Sequence, residues 1–247
     1  MMWNWLISAL ASKATIFLYD GSPFFPNKES IIQMVDNEKI NFLGVSAKYL
    51  DALRNAKFSA IDKFDLDSLK CILSTGSPLI KESFEYVYKK LKQNVHLASI
   101  SGGTDIVSCF VLGIPHLPVF SGEIQCKSLG VNVDIFDDDG KSTNGKGELV
   151  CKSALPTMPI GFWNDEKKVK YIQSYYSKFK NVWTQGDFAN FTNNNGIVIY
   201  GRSDATLNPG GIRIGTAEIY RAVETLSEVV ESIAIAQEWD NDIRIVL

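Results

Sequence analysis

Residues 69–103 read LKCILSTGSPLIKESFEYVYKKLKQNVHLASISGG. An apolar run, LKCIL, stops at Ser-Thr-Gly-Ser-Pro and predicts a strand closed by a turn. ESFEYVYKKL has helical spacing, with Phe84, Val87 and Leu91 on one side. A second apolar run, NVHLAS, follows and is expected to enter a glycine turn at Gly102-Gly103. Strand, helix and strand in this order predict a parallel pair, because parallel strands need a long crossover between them. The pattern extends upstream. ATIFLYDG (14–21) reads as a core strand over Ala14 to Tyr19, ESIIQMVDNEKI (29–40) as a helix and NFLGVS (41–46) as a strand.

Downstream the style changes. GEIQCKS, VNVDIF and GELVC are short runs separated by DDDG and TNGKG, turn signals of antiparallel structure. GDFANFTNNNGIVIYGR (186–202) predicts a hairpin turning at Asn195-Gly196. TAEIYRAVETL reads as a helix opened by Thr216 with Glu218 close behind, and VESIAIAQEW and DIRIVL read as strands. The expected class is α/β. A mixed-sheet unit with flanking helices covers 1–121 and a small antiparallel β unit covers 122–203. The beginning of an α+β unit covers 204–247.

Composition narrows the function. The 247 residues carry 25 Lys and Arg against 28 Asp and Glu, a net charge of -3, so no basic face for duplex nucleic acid is expected. Cys71, Cys109, Cys126 and Cys151 include no C-x-x-C pair, and His96 and His116 are the only histidines. That pattern predicts buried reduced thiols rather than zinc, and a cytosolic setting. The opening MMWNWLISALASKATIFLY lacks a preceding basic residue and is broken by Lys13, against both a signal peptide and a membrane span. It is expected to form a buried helix through about Ala11. A core helix at Met1 and a strand ending at Leu247 are both expected to mark truncation.

No phosphate loop of the G-x-x-x-x-G-K-[ST] type, no G-x-G-x-x-G and no G-x-S-x-G is present. Four stretches at strand ends carry the chemistry instead: STGSP (74–78), SISGGTDI (99–106), WTQGDF (183–188) and GRSD (201–204). Each alone is also an ordinary turn, but strand ends of an open α/β sheet are where ligands bind.

Their order resembles the adenylate-forming enzymes: the acyl-CoA synthetases, firefly luciferase and peptide-synthetase adenylation domains. SISGGTDI resembles that family's Gly-x-Thr-Glu segment, TQGDF its Thr-Gly-Asp segment and GRSDATLNPGGIRIGTAEI its Gly-Arg-x-Asp hinge motif. The likeness covers essentially the whole chain. MMWNW, LYDGSP, EYVYKK, FWNDE and YYSKF bring it nearest to the acid–thiol ligases that act on acetoacetate.

The resemblance implies ATP-dependent formation of acetoacetyl-AMP, then of acetoacetyl-CoA, with Mg²⁺ assisting. Small molecules (acetoacetate, ATP and CoA) are the implied partners, with no nucleic acid and no membrane span. Asp187 and Arg202 are implied at the ribose, and Gly76, Ser77 and Pro78 beside adenine. Thr104 and Arg213 are implied at the α-phosphate, and Asp105 near the metal, where most members carry Glu. Asp204 is implied as the hinge of a C-terminal lid, with Gly210 and Gly211 leaving room for pantetheine. Gly102 stands where acetyl-CoA synthetases carry a pocket-closing Trp, implying room for a longer acid, and Ser101 lies beside it. The family's phosphate loop and lid lysine are expected outside the chain, leaving these 247 residues inactive alone. Other short- or medium-chain acyl-CoA synthetases and a non-catalytic nucleotide-binding fragment are the alternatives.

Overall fold

The computed structural model describes residues 2–203, 207, 214–226, 228–229, 231–239 and 242–247. Its elements in chain order are α1 (Met2–Ala11), α2 (Ser30–Asn37), β1 (Phe42–Ser46), α3 (Ala47–Asn55), β2 (Cys71–Thr75) and α4 (Lys81–Tyr86). A π-helical turn, Val87–Leu91, extends α4. There follow β3 (His96–Ser99), β4 (Ser101–Gly103), β5 (Ser108–Leu112), β6 (Cys126–Lys127), β7 (Val133–Phe136) and β8 (Gly147–Cys151). The chain continues through α5 (Val169–Tyr175), β9 (Trp183–Phe191), β10 (Ile197–Arg202), α6 (Thr216–Val223), β11 (Ile235–Trp239) and β12 (Asp242–Val246).

Strands β1, β2 and β3 form a parallel sheet in that order, with Leu43 opposite Ile72 and Ile72 opposite Leu97. The crossover helices fold back on it. Ile32, Leu50, Leu53, Phe84, Val87 and Leu97 meet in one core, and the Tyr86 hydroxyl donates to the Phe58 carbonyl at 3.0 Å. Helix α3 was not expected from the sequence. It starts directly from β1 because Ser46 caps it, its Oγ accepting from the Tyr49 amide at 3.1 Å.

A second, antiparallel sheet runs β10-β9-β8-β7, and a third runs β4-β5-β6. Ile106, Phe110, Leu149, Trp183 and Ile197 pack into a second core. The hairpin β4–β5 therefore shares its apolar side chains with the β-rich part of the chain. The β9–β10 hairpin turns where expected, with Asn195 at φ 61° and the Thr192 amide donating to the Gly196 carbonyl at 2.9 Å.

Several expectations fail. The run Ala14 to Tyr19 is not a core strand: it has no ladder partner among the described residues, and Leu18 is 66% exposed. An apolar run becomes a strand only when its N–H and C=O groups find another strand. Helix α1 forms but is not buried at its described side chains, with Ile7 and Leu10 on the surface. Gly102 and Gly103 lie in strand β4, not in a turn, because β5 folds back against them. Helix α6 is capped at Gly215 rather than Thr216. Glu218 Oε1 accepts from the Gly215 amide at 3.2 Å, which satisfies a donor the helix leaves open.

Candidate functional site

The parallel sheet aligns the C-terminal ends of its strands, with Ser46 opposite Thr75 and Ser74 opposite Ser99. The Gly76-Ser77-Pro78 loop leaves β2 at this edge. Gly76 has φ +90°, a conformation open to glycine at little cost. The Ile100 amide donates to the Ser74 carbonyl at 2.9 Å, which ties the start of β4 to the same edge.

Asp187 reaches this edge from β9. A bulge near Tyr200 shifts the β9–β10 register so that Arg202 stands directly opposite Asp187. Cross-strand partners on one face are close enough to pair. Arg202 Nη1 lies 3.3 Å from Asp187 Oδ1 and donates to the Gln185 carbonyl at 2.8 Å. The other carboxylate oxygen, Oδ2, accepts from Ser101 Oγ at 3.3 Å. Gly186 between them has φ +79°, and a Cβ there would fall 2.4 Å from Arg202 Nη2. The positive φ strains any other residue there, and a side chain would push the Arg202 guanidinium away from its place beside Asp187.

Asp187 is buried, and burial pushes its carboxyl up to about 6 against the opposing pull of Arg202 and Ser101. Desolvation disfavours the charged form, and one arginine that is half in solvent offsets only part of that. The site therefore holds a carboxylate with few protein partners and a titration point close to neutrality.

Thr104 and Asp105 follow β4 on an exposed turn closed by the Val107 amide on the Thr104 carbonyl at 3.2 Å. The Asp105 carboxylate accepts from the hydroxyl of Tyr175. Gln185 links the two strands, its Nε2 donating to the Gly102 carbonyl at 3.1 Å and its Oε1 accepting from Trp183 Nε1 at 3.2 Å. Ser101, Thr104, Asp105, Asp187 and Arg202 are thereby joined through adjacent hydrogen-bonded segments. Gly102 is closed to any side chain: an added Cβ would lie 2.1 Å from the Ser108 carbonyl oxygen and 2.7 Å from Cys109 Cα. Asp204, Gly210, Gly211 and Arg213 lie outside the described residues.

Three participants escaped the sequence reading. Tyr175 meets Asp105 across seventy positions, which local spacing does not encode, and Gln185, although inside WTQGDF, gains its role only through its bond to Gly102 on another strand. Glu148, in β8, is 2% exposed and accepts from Lys178 Nζ at 2.6 Å and from Ser203 Oγ at 2.8 Å. It anchors the residue next to Arg202. The signal available for it was its place in GELVC, a buried strand in which a lone charge demands a partner.

The profile of a family described as AMP-binding enzyme matches residues 1–160. The chain belongs to the AMP-binding enzyme family. Among curated relatives in that company, acetoacetyl-coenzyme A synthetase of Rhizobium meliloti (strain 1021) is 56% identical over 248 residues, covering 100% of this chain and 38% of the relative. Acetoacetyl-CoA synthetase of Mus musculus is 46% identical over 250 residues, again across 100% of this chain and 37% of the relative. The chain thus spans little more than a third of the length of the curated relatives it matches. A solved structure, acetoacetyl-CoA synthetase from Streptomyces lividans, superposes with a TM-score of 0.88 at 40% identity, over 96% of this chain and 37% of that one. The anthranilate CoA ligase AuaEII in complex with anthranoyl-AMP shares the fold, with a TM-score of 0.76 at 20% identity over 94% of this chain and 42% of that one.

Proposed function

We propose that this chain carries the adenylate-binding face of an acid–thiol ligase that activates acetoacetate. The acid's carboxylate oxygen bonds to the α-phosphorus of ATP and the bond to pyrophosphate breaks, giving acetoacetyl-AMP. The thiol of CoA then attacks the acyl carbonyl and AMP departs, taking the bonding pair on its phosphate oxygen. The observation that carries the reading is the buried Asp187, placed opposite Arg202 by strand register and steadied by Ser101. Support for acetoacetate comes from the names of the relatives at 56% and 46% identity along the whole chain.

In this reading Asp187 accepts hydrogen bonds from the ribose hydroxyls, as a carboxylate does in charge-assisted pairs. Arg202 pulls that carboxylate toward its ionised form, against burial, and also reaches the ribose. The Gly76-Ser77-Pro78 loop offers a flat backbone beside adenine, and the Thr104 hydroxyl contacts the α-phosphate. Asp204 is the hinge, Arg213 approaches the α-phosphate, and Gly210 and Gly211 border the pantetheine path. Among the described residues no group of three or more His, Cys, Asp or Glu side chains is placed to cage a metal. A Mg²⁺ shared with nucleotide phosphates keeps several waters and needs only one or two carboxylates, and Asp105 on its exposed turn fits that mode. Such an ion supplies neutralisation of phosphate charge. The four thiols are free, and among the described residues no helix is long and apolar enough to cross a membrane; a cytosolic setting is part of the proposal.

The test is calorimetric binding of acetoacetyl-sulfamoyl adenosine, acetyl-sulfamoyl adenosine and AMP to the chain. The acetoacetyl compound is expected to bind best. Asp187→Ala is expected to weaken all three by at least about tenfold, the loss of a charged hydrogen-bond acceptor. Equal binding by the wild type and Asp187→Ala rejects the ribose assignment.

A further inference from the structure

We propose that Tyr175 is a positioning residue that holds the Asp105 carboxylate for the nucleotide's metal; this rests on the adenylate-binding reading above. Three observations carry it. The Tyr175 hydroxyl donates to Asp105 Oδ2 across seventy positions of sequence. Its ring lies flat on Trp183, centroids 3.7 Å apart and planes within 13°. Trp183 itself is 1% exposed, and its indole N–H is held by Gln185 two residues before Asp187.

The geometry makes the tyrosine a fixed arm. Helix α5 is short, but Tyr171, one turn before Tyr175, is buried against the same tryptophan, with ring centroids 6.3 Å apart. A ring pinned on an immobile indole can present its hydroxyl at only one place. The group it meets is an exposed aspartate on a four-residue turn. Ordering such a side chain at the moment of binding costs conformational entropy; a hydrogen bond made beforehand removes much of that cost. Because Tyr175 takes Oδ2, Oδ1 remains for a cation. Asp105 is thus set up for a single-oxygen contact, the mode suited to an ion that keeps most of its water. The same arm couples the metal side of the site to the ribose side, since Trp183, Gln185 and Asp187 share strand β9.

The experiment uses the 247-residue chain and three probes: adenosine, ATP with EDTA, and ATP with saturating Mg²⁺. Affinities are read by calorimetry, and the quantity of interest is the gain in ATP affinity that Mg²⁺ confers. Tyr175→Phe keeps the ring on Trp183 and removes only the O–H. It is expected to cut the Mg²⁺ gain about tenfold while adenosine affinity stays within about twofold, the behaviour of a group that orients a metal ligand. Asp105→Asn is expected to cause a similar loss, and the double variant no more than the larger single one, because the two residues act as a unit. Tyr176→Phe, on the neighbouring position, should leave the gain intact.

An unchanged Mg²⁺ gain in Tyr175→Phe overturns the proposal, as do losses that simply add in the double variant. A parallel fall in adenosine affinity overturns it too, by showing a merely structural role. If the unsubstituted chain binds adenosine but gains nothing from Mg²⁺, the metal role of Asp105 fails. If it binds no adenosine, the ribose reading beneath the inference fails instead.

Discussion

At Asp187 burial and the proposed role pull in opposite directions. Burial raises its pKa to about 6, above the ordinary 3.8, so the folded state favours the protonated form. The stability this contributes is fully present below the unfolded value and is lost as pH rises through about 6. In the proposed reading the ribose hydroxyls bind the ionised form, so affinity should run the other way and increase across the same interval. Adenosine is the right probe, because the second ionisation of a phosphate also falls near pH 6 and would blur the curve. Binding is expected to be several-fold weaker at about pH 5 than at about pH 7.5, whereas Asp187→Asn should show a flat profile. Calorimetry at the two pH values decides it; a flat wild-type profile would contradict the buried, titrating carboxylate. The stretches that hold this residue and Arg202 were legible in the sequence because they flank a hairpin whose turn, at Asn195-Gly196, was itself legible; the roles proposed for the two residues came only from the family resemblance. The bulge that brings them opposite one another was not legible, since a register shift depends on pairing rather than composition.

Among the elements, β4 shows how a sequence signal is read correctly for place and wrongly for form. Ser-Gly-Gly after an apolar strand suggests a turn, but Gly102 is needed because the β5 backbone crosses too close for a side chain. Gly102→Ala should therefore disrupt β4–β5 pairing and destabilise the fold by about 2 kcal/mol, in the range of overpacking a closed site. Gly103→Ala should cost less: its nearest neighbours would be side-chain atoms, Gln185 Oε1 at 3.2 Å and Ile106 Cγ1 at 3.4 Å, rather than backbone. Urea unfolding of the two variants checks the ranking, and a milder effect at Gly102 contradicts the closed geometry. It follows that a tryptophan at Gly102 tests strand packing before it tests the acid pocket. The parallel β1–β3 sheet and its helices were legible from alternation of period. Helix α3 was not read, although Ser46 was there to cap it, because it follows β1 without a break. The apolar run at Ala14 to Tyr19 misled for the opposite reason, having strand composition but no partner strand.

For the whole molecule, hydrogen bonds tie the two cores together at both ends of the parallel sheet, with His96 Nε2 2.7 Å from Gln125 Oε1 at the start of β3. At the other end, Ile100 on the Ser74 carbonyl ties the start of β4 to the parallel sheet, and Ser101 on Asp187 ties β4 to β9. Ion pairs reach across to α6 and its end, with Lys146 on Glu218 at 2.7 Å and Lys48 on Glu224 at 3.0 Å. Both are partly exposed and contribute little to stability. Acetoacetate activation is proposed for the protein at the relatives' full length, so the decisive measurement is made at that length. The 248 matched residues of the Rhizobium meliloti acetoacetyl-coenzyme A synthetase would be replaced by this chain, and the chimera assayed for ATP–pyrophosphate exchange with acetoacetate, acetate, propionate and butyrate. The account predicts exchange with acetoacetate within about tenfold of the unmodified relative, preference for acetoacetate over the other three acids, and loss by at least about tenfold in Asp187→Ala. A folded chimera that exchanges with none of the acids, or prefers one of the unoxidised acids to acetoacetate, would contradict it.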